Sequence, residues 1–179
     1  HNNSWFYGYT GYFISTYNNK FKTDLPLYLR LVDAKRHDSV SAVISLAEIR
    51  DLYHNLNFDT FISDSASDNY PTYRLLNEWG INAVIALNTK NKGNFKYPPP
   101  IEIDKHGTPI CSAGNSMIYA GFYDQDRCRV KWRCPRVLGK AEFCDACNDC
   151  SKSSYGRTVY TKPIWDLRQF TTIPRGTDR

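Results

Sequence analysis

Three groups of residues in this 179-residue chain have types and spacings that can do chemistry. The first is Asp64, in the run Phe61-Ile62-Ser63-Asp64-Ser65. It closes a short apolar stretch and opens a polar one, the strand-end position where α/β folds place functional groups. A carboxylate there can hold a divalent cation. It can equally open the following helix, together with Ser65, Ser67 and Asp68. The second group is the cysteines, Cys111, Cys128, Cys134, Cys144, Cys147 and Cys150, all in the second half. The last three read C-x-x-C-x-x-C, and clustered thiols without signs of secretion point to metal before disulfides. Cys134, Cys144, Cys147 and Cys150 can form a tentative four-thiolate zinc site, structural because it leaves no open position. Such a site would stand in for the apolar core this polar stretch lacks. Free thiols and disulfides are the alternatives. The third group is Arg127, Arg129, Lys131, Arg133 and Arg136, ten residues without an acid. These five cations can neutralise phosphates, or guard an exposed strand edge.

Weaker candidates surround these. Asp33 and His37 can be metal ligands, or can serve capping and turn formation. Tyrosines and phenylalanines interleaved with basic residues, in 123–136 and 155–170, can stack on bases or fill a small β core. Ser65 and Ser112 have no nucleophile-elbow context, and no glycine loop for phosphate occurs. No apolar run approaches the roughly 18–20 residues of a membrane span, and a secretory signal is missing. The net charge of +5 is uneven: residues 1–100 hold 10 basic and 9 acidic side chains, residues 101–179 hold 13 and 9. The single Met is Met117, so residue 1 reads as the result of tag removal or of excision from a longer chain.

The elements that must position these groups follow from periodicity. Trp5–Thr16 is rich in aromatic and β-branched residues and reads as a strand, with a bulge expected near Gly8 and Gly11. Asn18–Lys20 reads as a turn. Leu25–Val32 alternates, with Leu25, Leu27, Leu29 and Leu31 expected to face a core, and pairs antiparallel with the first strand. A helix is expected over 39–54, capped by Asp38 or Ser39, with Val40, Val43, Ile44, Ala47, Ala42, Leu46, Ile49 and Tyr53 on a broad apolar band. Thr60–Ser63 reads as a strand and 69–79 as a helix with Pro71 in its first turn and Gly80 just past its end. Ile81–Leu87 is a continuous apolar run typical of a buried parallel strand. Residues 88–100 form a polar connector with three consecutive prolines. Short strands are expected at Ile101–Ile103, Met117–Phe122, Arg129–Trp132 and Thr158–Tyr160. The chain thus reads as an α/β part over 1–87 and a β-rich part over 88–179.

Taken together, these strings resemble the middle of a bacterial insertion-sequence transposase of the DDE type. The resemblance runs through FYGYTGYFIS, LPLYLRLVDAKRHDS, FISDSASDNYPTYRLLNEWGINAVIALNTKNKGNFKYPPP, GTPICSAGNSM, RVKWRCP and SSYGRTVYTKPIWDLRQFTTIPRG, over nine-tenths of the chain. It implies a ribonuclease H-like mixed sheet with flanking helices, here incomplete, and residues 88–179 as a β-rich, Cys-containing insertion. It implies three acidic residues holding two divalent metals, Mg2+ or Mn2+, for in-line attack on a DNA phosphodiester. Asp64 matches the second of the three. Asp38 matches a recurring position, read here as a structural cap. The first Asp is expected before the aromatic strand and the Glu on a helix beyond residue 176, so one of three carboxylates is present. The resemblance further implies DNA at transposon ends as partner, with the run 127–136 gripping it. It also implies a homodimer as a form of the intact protein, and a cytoplasmic, nucleoid-associated location. The expected function is that of a transposase fragment, inactive alone. The alternatives are a zinc-stabilised DNA-binding module without catalysis and a non-functional remnant of a mobile element.

Overall fold

The computed structural model describes residues 7–88, 102–123, 125–141, 144 and 150–176. Cys147 and most of the expected connector, 89–100, lie outside the described residues. The described residues form a mixed α/β arrangement of small sheets with the two α-helices named below, and the chain's contacts divide it into two units, 1–58 and 59–179. Among the described residues no helix is long and apolar enough to cross a membrane.

The first unit is a hairpin packed on a helix. Strand β1 (Tyr9–Asn18) pairs antiparallel with β2 (Thr23–Asp33), as the alternation predicts. Asn18 Oδ1 accepts from the backbone N–H of Lys20 and Phe21, which closes the turn. The register shift falls between Ile14 and Ser15, opposite Pro26, and not at Gly8 or Gly11. Pro26 has no N–H to give a ladder, so the irregularity follows the proline. The side of β2 that packs is the reverse of the expected one. Val32 is 8 % exposed and Tyr28 and Arg30 are half-buried, while Leu29 and Leu31 are 54 % and 70 % exposed.

The reason lies in helix α1 (Asp38–Leu52), which meets the hairpin through a polar cluster. Glu48 accepts hydrogen bonds from Tyr28 Oη and Arg30 Nη1, and the Arg30 contact comes first among those that hold its carboxyl below the usual range. The buried stripe of α1 is Ser41, Ala42, Ser45, Leu46 and Ile49, with Val40 exposed. Ser41 and Ser45 lie in this stripe with their hydroxyls buried and without a hydrogen-bond partner among the described residues. The cap is His37, whose Nδ1 accepts from Ser39 N, instead of Asp38 or Ser39. Asp38 sits in the first turn, where a negative charge complements the helix dipole.

The second unit begins with a strand–helix–strand. Strand β3 (Thr60–Ser63) and β4 (Asn82–Ile85) pair parallel in register, with α2 (Tyr70–Glu78) between them in sequence. Asn69 caps α2 through Thr72 N. Gly80 ends it at φ +69°, the left-handed conformation a helix C-terminus favours in glycine. Tyr73, Leu76, Ile81 and Ile85 are buried. The β-rich part is a three-stranded antiparallel sheet in the order β5 (Ile118–Tyr123), β6 (Arg129–Arg133), β7 (Thr158–Thr161). Its core gathers Cys111, Met117, Val130 and Trp132. Trp132 Nε1 donates to Thr161 Oγ1 at 2.9 Å, so the buried indole N–H is satisfied. Around the expected strand at 101–103, the described residues show isolated bridges, Ile103 with Pro109 and Ile110 with Ser116.

Candidate functional site

Asp64 directly follows the last residue of β3, at the carboxyl end of the parallel pair. Its side chain is exposed, and Oδ1 accepts from Ala66 N at 3.0 Å. The carboxylate therefore does cap the short 3-10 turn Ser65–Ser67. Among the described residues this is the one bond its side chain makes, so Oδ2 keeps its capacity to meet a cation.

Asp68, four residues on, behaves in the opposite way. Its side chain is fully buried and bound on both oxygens. Arg168 donates to it twice, Nε to Oδ1 at 2.8 Å and Nη2 to Oδ2 at 2.5 Å. Tyr73 Oη donates to Oδ1 at 3.1 Å and Asn88 N to Oδ2 at 2.5 Å. A buried carboxylate needs this many donors, because desolvation otherwise outweighs the attraction of one partner. Asp68 is thereby committed to structure, and its fourfold satisfaction separates it chemically from Asp64.

The same network ties the segment 166–175 to α2 and the end of β4. Arg175 donates to the Ile85 carbonyl, to Tyr73 Oη at 2.8 Å and to the Arg168 carbonyl at 2.7 Å. Tyr70 Oη donates to Asp166 Oδ2 at 2.8 Å. Burial, then the Asp166 hydrogen bond, pushes the Tyr70 phenol up to about 12, and burial raises Tyr73 as well. From sequence Asp68 reads as part of a helix opening, and no local pattern marks Arg168 or Arg175. The partners that tie them to α2 and the end of β4, namely Asp68, Tyr73, Asn88 and Ile85, lie 80 or more residues away, beyond any local pattern.

The cysteines are placed as follows. Cys134 is buried next to the turn at Gly156, where a Cβ would stand 3.1 Å from the Cys134 Cβ. Cys144 and Cys150 are half-buried. Cys111 belongs to the core of the three-stranded sheet. Among the described residues no three His, Cys, Asp or Glu side chains gather to hold a metal. Asp33 and His37, the other candidate ligands, serve their turn: Asp33 Oδ1 accepts from Lys35 N at 3.0 Å.

The basic run divides by position. Arg127 ends a 3-10 turn and Arg136 opens the turn closed by Gly139. Arg129, Lys131 and Arg133 alternate along β6 with buried Val130 and Trp132, so all three share the face opposite the core. Tyr160, the cross-strand partner of Lys131, lies on that face too. The Arg129 guanidinium sits 4.1 Å from the Tyr160 ring centroid, and that of Arg133 sits 3.7 Å from the Tyr155 ring centroid. The Lys131 ammonium is 5.0 Å from Tyr155. A hydrogen bond from Lys131, then the charges of Arg133 and Lys131, lower the Tyr155 phenol.

Comparison with known proteins finds no matching protein-family model, no similar curated protein and no similar solved structure.

Proposed function

We propose that this chain is the central part of a DDE-type DNA transposase, with a ribonuclease H-like core over its α/β part. The observation that carries the reading is the contrast at the end of β3. Asp64 is exposed with one oxygen engaged locally, while Asp68 takes the buried structural duty. The carboxyl end of a parallel strand is where such a core would present a metal-binding carboxylate. In the intact protein, Mg2+ or Mn2+ held there would supply charge for cleavage and joining of DNA strands at transposon ends.

The described residues do not by themselves fit a two-metal centre. Asp64 is one carboxylate, Asp68 is taken by Arg168, and among the described residues no further acid, His or Cys joins them. This chain's contribution is thus to present one ligand on a rigid turn. Ser63 Oγ donates to Ser67 Oγ at 2.8 Å across that turn, and the Asp68–Arg168 pair anchors its far end.

The test is a strand-cleavage assay in Mg2+ and in Mn2+. The 179-residue chain is expected to leave supercoiled and linear DNA intact. Robust cleavage by this chain that disappears in Asp64→Ala would overturn the incomplete-site part of the reading. Cleavage by the full reading frame that survives Asp64→Asn would overturn the assignment of Asp64.

A further inference from the structure

The outer face of β6 carries a row of cations whose aromatic neighbours are already occupied. From this geometry we infer that the face binds the phosphate backbone of duplex DNA along one strand, and that Tyr155 and Tyr160 hold the arginines instead of stacking on bases. The inference rests on the transposase reading only for taking DNA as the nucleic acid, and it names the part of the DNA that reading leaves open.

The arrangement begins with strand geometry. Arg129, Lys131 and Arg133 occupy alternate positions of the middle strand of the sheet. Alternate residues of a strand lie about 6.6–6.8 Å apart, so the three cations span about 13 Å in a straight row. That spacing is comparable to the separation of successive phosphates along one nucleic-acid strand. The strands β5, β6 and β7 themselves carry no acidic residue, and Asp126 lies in the turn that precedes β6. With β5 and β7 on either side, the row sits in the middle of a sheet and not on its edge, which removes edge protection as its reason.

The rings decide what the row binds. A guanidinium at 3.7–4.1 Å from a ring centroid is in cation–π contact. Arg133 Nη2 also donates to the Tyr155 carbonyl at 3.3 Å, which fixes the orientation of its fork. A base stacking on that side of either ring would have to displace a cation. A phosphate needs no displacement: the Nε atoms of Arg129 and Arg133 are buried, but a guanidinium held by its flat face can still donate from its terminal nitrogens.

The experiment measures the affinity of the full chain for a 20-base-pair DNA duplex, the matching single strand and an RNA duplex. Salt is varied from 50 to 200 mM in EDTA. Three phosphate contacts contribute a slope of about −2.7 to log K against log salt, or about a 40-fold loss across that range. Replacing Arg129, Lys131 and Arg133 together by Gln is expected to remove that slope and to weaken duplex binding about tenfold or more at the lowest salt. Arg133→Gln alone should remove about 0.9 of the slope, which keeps the test available if the triple variant does not fold. Tyr155→Phe keeps the ring and releases only the hydrogen bond from Lys131, so the slope should stay at its wild-type value. A wild-type slope in the triple variant would overturn the inference. So would tighter binding of the single strand that is lost in Tyr155→Leu, or a preference for the RNA duplex. Because no divalent metal is present, the result is independent of Asp64. A failed Asp64 assay beside an intact salt slope would remove the first reading and leave this one.

Discussion

The Asp68–Arg168 pair offers the sharpest test of how the second unit is held. The two side chains are 0 % and 4 % exposed and joined by two hydrogen bonds. Arg168→Met removes the guanidinium, keeps much of the apolar stem, and leaves a buried carboxylate with only Tyr73 Oη and Asn88 N as donors. Breaking one side of a buried pair costs about 3–5 kcal/mol, because the remaining charge is uncompensated. That is a large share of the stability of a domain this size, about 5–15 kcal/mol. Urea unfolding followed by tryptophan fluorescence reads it directly, since Trp165 packs edge-on against Phe170 in the same segment. Asp68→Asn should cost a comparable amount by stranding Arg168. The double variant should cost less than the two singles combined, with a coupling above about 1.5 kcal/mol. A loss under 1 kcal/mol on Arg168→Met, roughly that of an exposed pair, would refute the reasoning.

Other consequences can be checked on the same preparation. The folded state raises the Tyr70 phenol from 10.0 to about 12, so its contribution is complete below pH 10 and lost as pH rises through about 12. Tyr70→Phe should therefore flatten part of the fall in urea midpoint over that window, and an unchanged profile would count against the Asp166 contact. Ile49→Ala, at a fully buried position on α1, should destabilise the protein by about 2–5 kcal/mol in the same assay. Gly107→Ala should destabilise the second unit, because Gly107 has φ +82° and a Cβ would stand 2.6 Å from the Gln169 carbonyl oxygen; equal midpoints would argue against that close approach. Metal analysis of the purified chain should find about one zinc, lost on Cys144→Ser, as a four-thiolate set of Cys134, Cys144, Cys147 and Cys150 requires; a metal-free, equally stable protein would discard that set.

Much of the element order was legible because it depends on local pattern. The alternation in Leu25–Val32, the apolar run from Ile81 and the Pro71 and Gly80 punctuation each mark an element that the structure contains. The side on which an element packs was less legible. The leucines of β2 form the more apolar face, yet Val32, Tyr28 and Arg30 face α1, because Glu48 binds Tyr28 and Arg30 together. A hydrophobicity pattern does not report a polar cluster that links two elements. The change of composition after Leu87 is likewise a different feature from the division in contacts at 58 and 59. In the candidate site, the position of Asp64 at a strand end is legible from the apolar run that precedes it. Asp68 was found only as a polar neighbour, because its role is set by an arginine 100 residues later.

The central claim is that Asp64 is a metal-binding carboxylate of a DNA strand-cleaving enzyme. The direct measurement is DNA cleavage in Mg2+ and Mn2+ by the protein from the complete reading frame that contains this segment, compared with its Asp64→Asn variant. The account predicts metal-dependent cleavage in the parent and a loss of several orders of magnitude in the variant, with urea stability and the salt dependence of duplex binding unchanged. Equal cleavage by the two proteins, or no cleavage by a folded parent that binds DNA, would contradict it.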